Sequence, residues 1–146
     1  MEYRIILCPI DQPELSDKGV DTAAYLSKLS GARLILLHVG EEWYKSQAVT
    51  TNSREWAAIH KEWLDEGRLL LKNAEARARD TGLNNIETVF TEGDAAHEII
   101  KEAKKRMVDL IVIATERHSK IEKLFVGSIT DRVTKYSPCP VLLVKV

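Results

Sequence analysis

The residues with the clearest chemical potential stand in the last third of the chain. An apolar run from Leu110 to Ala114 breaks there into a polar stretch, and the pair Gly127-Ser128 then opens a helical pattern. The first backbone N–H groups of a helix lack intrahelical acceptors, so they point, with the positive end of the helix dipole, at whatever anion lies above them. That is the chemistry of a phosphate site, to which Ser128 adds a hydroxyl. An ordinary helix cap accounts for the same serine without any ligand.

The remaining reactive side chains do not assemble into a catalytic set. Gly127-Ser128-Ile129-Thr130 is not the Gly-x-Ser-x-Gly of a nucleophile elbow. His38, His60, His97 and His118 have no ligand spacing with one another or with a cysteine, so no metal site is expected. Lys101, Lys104, Lys105 and Arg106 fall in the last turns of a predicted helix, where cations suit the dipole, and read as a solvated face. Trp56 and Trp63 share one side of another helix and read as a core or interface stripe.

Apolar runs of strand length alternate with helical patterns along the whole chain, which predicts βαβ units and a parallel sheet. The runs are Arg4 to Ile10, Arg33 to Val39, Ile86 to Phe90, Leu110 to Ala114 and Val141 to Val146. Most are nearly continuous in Ile, Leu and Val, as expected of strands covered on both faces. Ser16 is placed as the cap of a first helix carrying Val20, Ala23, Ala24 and Leu26 to Leu29, which Gly31 stops. A second helix starts after Asn52, with Glu55 as capping-box partner, buries Trp56, Ile59, Trp63, Leu70 and Ala74, and ends before Gly82. Asp94 caps a third, whose inner residues are Ala95, Ile99 and Ala103. Ser128 opens a fourth, with Ile129 and Val133 inward, and Pro138 and Pro140 end it. Gly40 to Thr51 and Thr115 to Phe125 are the extended irregular segments.

With 146 residues, 45 % of them apolar, the chain can bury one sizeable core, and a single domain over 1–146 is expected. A formal charge of -1, from 21 basic and 22 acidic side chains, lacks the footprint of a nucleic-acid binder. Cys8 and Cys139 form no CxxC pair and read as buried or semi-buried thiols of a reducing compartment. The segment MEYRIILCPID is not a secretory signal and no apolar run reaches membrane-spanning length, so a cytosolic location without membrane contact is expected.

Five strands and four helices with right-handed crossovers give an open doubly wound α/β sheet, helices on both faces, in strand order 3-2-1-4-5 or 2-1-3-4-5. The ligand belongs at the carboxyl ends of the strands where the order reverses. The loop after the fourth strand carries the phosphate-like chemistry, whereas the turn Thr91 to Asp94 after the third is short and acidic, which favours 3-2-1-4-5. Two relatives of this architecture are set aside on residues. A receiver domain needs an aspartate ending the third strand, where Phe90-Thr91 stands; a PP-loop pyrophosphatase needs Ser-Gly-Gly where Asp11-Gln12-Pro13 stands.

The chain resembles the universal stress protein family over its whole length. The likeness rests on strand 1 running into Pro9-Ile10-Asp11, on LILLHV at Leu34 to Val39, on EGDAAHEII at Glu92 to Ile100, on the Gly127-Ser128 loop and on the terminus SPCPVLLVKV. The family pattern for that loop is a glycine, two residues, a glycine, nine residues and Gly-Ser or Gly-Thr. Its earlier glycines fall on Ala114 and Arg117 here, and Pro13 replaces the usual serine after Asp11. The resemblance implies a nucleotide site made by Pro9, Ile10, Asp11, Val39, Ile113, Ala114, Thr115, Arg117, Gly127, Ser128, Ile129 and Thr130. In it Asp11 accepts from ribose or base, Val39 offers its backbone to the adenine edge, and Gly127 to Ile129 hold the phosphates.

For Asp11 the bland alternative is a carboxylate capping the first helix, and for Val39 a core valine. Ala114 is a mild change from glycine if its φ is negative. Arg117 either fills the phosphate cradle or replaces backbone donors with a bidentate guanidinium. Glu116 and His118 beside it add an unhelpful carboxylate and a further donor.

The expected function is a dimeric sensor or regulatory module that binds ATP or AMP, with Mg2+ as an allowed companion, and that is not an enzyme. The alternatives are a dimer of the same fold working through protein contacts without nucleotide, and a slow ATPase using Asp11 and a divalent cation. The dimer is expected through strand Val141 to Val146, a long apolar edge that only Lys145 protects from pairing.

Overall fold

The computed structural model describes residues 2–41, 54–115 and 127–146. Its elements run β1 (Ile5–Pro9), α1 (Pro13–Ser30), β2 (Arg33–Gly40), α2 (Arg54–Asp80), β3 (Ile86–Glu92), α3 (Ala95–Lys105), β4 (Leu110–Thr115), α4 (Ser128–Tyr136) and β5 (Val141–Lys145). The five strands form one parallel sheet in the order β3-β2-β1-β4-β5, as favoured from the sequence.

The apolar runs become central strands because both of their faces are covered. Ile6 pairs with Leu34 and Leu110, and Leu7 with Ile35 and Ile111, so one residue step flips each side chain to the opposite core. On one face Ile6, Cys8, Leu34, Leu36, Leu110 and Val112 pack with Val20 and Ala24 of α1 and with Leu71, Ala74 and Ala78 of α2. On the other, Leu7, Ile35, Leu37, Ile111 and Ile113 pack with Ala96, Ile99 and Ala103 of α3 and Val133 of α4. Each fully buried Leu, Ile or Val contributes about 1.5–3 kcal/mol, which makes the three inner strands a rigid platform for the loops at their carboxyl ends.

The helix starts differ from the sequence expectation in instructive ways. α1 begins at Pro13, with Gln12 in the cap position and no capping side chain. Proline at the first helical position has its φ already set and no N–H to orphan, so it can start the helix without a polar cap. Ser16 is therefore inside the first turn and buried rather than a cap. Leu29 is 68 % exposed, half a turn of the helical wheel from Val20, because Val20, Ala23, Ala24 and Ser27 face the sheet. In α2 the fully buried residues are Gly67, Leu71, Ala74 and Ala78, while Trp56, Ile59, Trp63 and Leu70 are only half-buried. Asn52 and its capping box lie outside the described residues.

Asp94 caps α3 as expected, its carboxylate accepting from the His97 backbone N–H at 2.9 Å. The basic cluster beyond it is only partly a solvated face. Lys101, Lys104 and Lys105 are exposed, but Arg106 donates to Glu102 and Glu87, each at 2.7 Å, and ties α3 to β3. No helix among the described residues is long and apolar enough to cross a membrane.

Candidate functional site

The sheet order reverses at β1 and β4, whose carboxyl ends part to leave a crevice. Each wall of that crevice is held by specific bonds. After β1, the Ile10 N–H donates to Leu37 O at 2.8 Å, and Ile10 O contacts His38 Nδ1 at 2.8 Å. The Asp11 N–H donates to Ser16 Oγ at 3.0 Å. The buried serine thus fixes the strand-to-helix turn from inside the helix. Among the described residues no hydrogen bond or ion pair engages the exposed Asp11 carboxylate, and it does not cap α1.

The opposite wall is the end of β4 and the start of α4. Ala114 pairs in regular register with Val144, and Thr115 with Lys145. The φ of Ala114 is negative, since Met107 is the one positive-φ residue other than glycine among those described. Its methyl is accommodated because Gly19 of α1 faces it, where an added Cβ would come within 3.3 Å of Ala114 Cβ. Ala114 therefore takes up a strand position that has no need of glycine. In α4, Gly127 occupies the cap position with no side-chain cap, and the first helical bond is Asp131 N–H to Gly127 O at 2.9 Å. The N–H groups of Ser128, Ile129 and Thr130 precede it and have no acceptor among the described residues.

These walls enclose a cleft of about 340 Å³, within the range of small-molecule sites. All the candidate residues except Arg117 line it: Pro9, Ile10 and Asp11, then Val39, then Ile113, Ala114 and Thr115, then Gly127 to Thr130. Arg117, with Glu116 and His118, lies outside the described residues. Gln12, Leu15, Ser16, Leu37, Glu41, Ala95 and Ile99 line the cleft as well and escaped the reading of the sequence. The position of Glu41, just past the carboxyl end of β2, was the available signal for it.

A second helix, α3, also starts at the cleft, but its positive end is occupied. Glu41 Oε1 accepts from Ala95 N–H at 3.3 Å and the Asp94 carboxylate from His97 N–H at 2.9 Å. The Arg132 guanidinium of α4 holds Asp94 through contacts of 3.1 Å and 3.0 Å. That guanidinium, followed by the His97 N–H, keeps the Asp94 carboxyl below the usual carboxylate range. Two carboxylates thus occupy the start of α3, and of these two helices it is α4 that has, among the described residues, the uncapped positive end at the cleft.

The cleft offers anion-binding N–H groups at α4, a free carboxylate at Asp11 and an apolar end at Leu37, Val39 and Ile99. Among the described residues no nucleophile is paired with a base there. Burial pushes the Cys8 thiol up to about 12, so it stays protonated. Cys139 is half-buried and its thiol is also raised, chiefly by burial. Among the described residues no three His, Cys, Asp or Glu side chains cluster to hold a metal ion.

A family model described as the universal stress protein family matches residues 2–145. The universal stress protein YxiE of Bacillus subtilis is 35 % identical over 98 % of this chain and 99 % of its own. Among solved structures, universal stress protein UspA from Lactobacillus plantarum superposes with a TM-score of 0.76 at 23 % identity, covering 99 % of both chains. A universal stress protein from Archaeoglobus fulgidus, solved in complex with dAMP, gives a TM-score of 0.67 at 19 % identity, covering 99 % of this chain and 100 % of that one. At those identities the two structures speak for the fold.

Proposed function

The chain belongs to the universal stress protein family, and on that premise we propose that its cleft binds an adenine nucleotide, ATP or AMP, as a sensor or regulatory module. The observation that carries the reading is the start of α4, uncapped among the described residues, facing the crevice while the start of α3 is filled by Glu41 and Asp94. An anion entering the cleft is drawn to α4, which sets the direction of the ligand. Phosphate lies on Gly127, Ser128 and Ile129; ribose hydroxyls donate to Asp11; the base lies against Val39, whose backbone meets its edge. Thr130, Pro9, Ile10, Ile113, Ala114 and Thr115 form the floor between them. A relative of the same fold solved with dAMP supports this class of ligand. Mg2+ can accompany ATP by sharing its phosphates with Asp11. Among the described residues no nucleophile-base pair faces that position, which favours binding over hydrolysis.

The same reading extends to a homodimer in the cytosol. β5 pairs with β4 alone among the described strands, and its Leu142 is 38 % exposed. A two-fold partner presenting the same strand antiparallel would complete its backbone pairing.

Calorimetry and thermal unfolding with AMP, and with ATP with and without Mg2+, test the nucleotide reading. A ligand that binds only the folded state, at about a hundredfold excess over its Kd, adds about 2.7 kcal/mol of stability. No heat and no rise in Tm at millimolar nucleotide rejects the reading and favours a protein that works through its dimer surface.

A further inference from the structure

One peptide unit at the cleft wall is gripped on both sides. The Ile10 carbonyl oxygen lies 2.8 Å from His38 Nδ1, and the N–H of the same peptide, that of Asp11, donates to Ser16 Oγ at 3.0 Å. A carbonyl oxygen only accepts, so His38 Nδ1 carries a proton and donates it. Pro9 is the last paired residue of β1, and the Ile10 N–H closes the pairing with β2 at Leu37 O. The peptide that follows is therefore held by side chains, one from β2 and one from α1. His38 does not line the cleft. Leu37 and Val39 on either side of it face α3 and α4, so alternation turns His38 to the opposite face of the sheet. There the Phe90 ring meets it edge-on at a centroid distance of 5.5 Å, and Gly67 leaves it room, since an added Cβ would stand 2.9 Å from His38 Cδ2. Any effect of His38 on a ligand has to pass through the Ile10 carbonyl.

We infer that His38 and Ser16 are positioning residues for the cleft ligand, holding the Ile10–Asp11 peptide from both ends so that the Asp11 carboxylate is preset for the group it accepts from. The six atoms of a peptide unit, the next Cα included, are coplanar, so fixing the plane fixes the Cα of Asp11, from which the carboxylate is hung at the cleft wall. A carboxylate set in place before binding loses less freedom when the ligand arrives. This inference rests on the nucleotide reading above and names residues, one of them remote from the cleft, that act on the ligand through Asp11.

The test is calorimetry with AMP on the wild type, His38→Leu, His38→Asn and Ser16→Ala, each also in an Asp11→Ala background. His38→Leu and Ser16→Ala should each weaken AMP by about threefold to tenfold, the worth of one neutral hydrogen bond. Asparagine carries its Nδ2 donor where histidine carries Nδ1, so His38→Asn should bind within about twofold of the wild type. Without Asp11 neither His38→Leu nor Ser16→Ala should change the affinity by more than about twofold, whereas a merely loosened fold would weaken both backgrounds alike. NMR of the ring nitrogens in the wild type should find the proton of the neutral His38 imidazole on Nδ1. A proton on Nε2 instead, AMP bound by His38→Leu or Ser16→Ala as tightly as by the wild type, no rescue by asparagine, or a loss that persists without Asp11 overturns the inference. A wild type that binds no AMP rejects the nucleotide reading itself, and the positioning role falls with it.

Discussion

Replacing Gly67 by alanine sets two effects of known size against each other. Gly67 lies in the middle of α2, where alanine is worth about 1 kcal/mol more than glycine through backbone entropy. A Cβ at this position would stand 2.2 Å from Phe90 Cε2 and 2.9 Å from His38 Cδ2. Carbon contacts settle near 3.5 Å, so the Phe90 ring has to retreat by roughly 1.3 Å. It has little room. Its ring centroid is 5.5 Å from that of His38 and 6.4 Å from that of Trp63, both edge-on, and His38 is held by Ile10 O at 2.8 Å. Overpacking of this kind costs about 1–3 kcal/mol, which outweighs the helical gain. Gly67→Ala should therefore destabilise the fold by about 1 kcal/mol, a fall in Tm of about 2–4 °C, read by urea and thermal unfolding. In a Phe90→Leu background the clash is relieved, and the same alanine should be neutral or stabilising. A stabilising Gly67→Ala in the wild-type chain, or an equal loss in both backgrounds, refutes the reasoning.

Asp11→Ala should weaken AMP by about tenfold to a hundredfold, the loss of a hydrogen bond to a charged group, and should weaken inorganic phosphate far less; calorimetry with both ligands reads the difference. Asp94 is held below its ordinary pKa by Arg132 and by the His97 N–H, so its contribution is present above the unfolded-state pKa and fades as pH falls through the lower folded value. The stability advantage of the wild type over Asp94→Asn should accordingly be full at pH 6 and shrink below about pH 4, checked by urea titration across that range. Val146 N–H bonds Thr115 O at 3.0 Å, and by strand alternation the backbone of Leu143 points away from β4. Leu143→Pro should then spare the β4–β5 pairing and split the dimer in sedimentation, and a wild-type chain that runs as a monomer at micromolar concentration defeats the dimer proposal.

What could be read along the chain is what depends on near neighbours. The alternation of apolar runs with helical stripes needs only residues within one element, and it yields all five strands, the four helices and coverage on both faces. Asp94 was legible as a cap because its partner is three residues away. The strand order could be argued because parallel strands open their carboxyl ends where the order reverses, and the anion chemistry followed the fourth run. The errors were local competitions as well: Ser16 looked like a cap because serine favours that role, and Pro13 displaced it by starting the helix first.

The tertiary structure decided how the site is charged and shaped, because those properties arise between residues far apart in the chain. The acidic turn before α3 and its cap Asp94 already set that helix apart from α4 along the chain. What the fold adds is Glu41, brought from the end of β2 onto the Ala95 N–H, and Arg132 of α4, which holds Asp94 in place. Ala114 likewise reads as a damaged glycine until Gly19, on another element, is found opposite its methyl. Sequence alone settled which segments become strands and helices, since backbone propensity and hydrophobic period are short-range. Which helix end stays open, and what fits beside it, waited for the fold, since charge compensation and steric room are set by whatever the crossovers bring within a few ångströms.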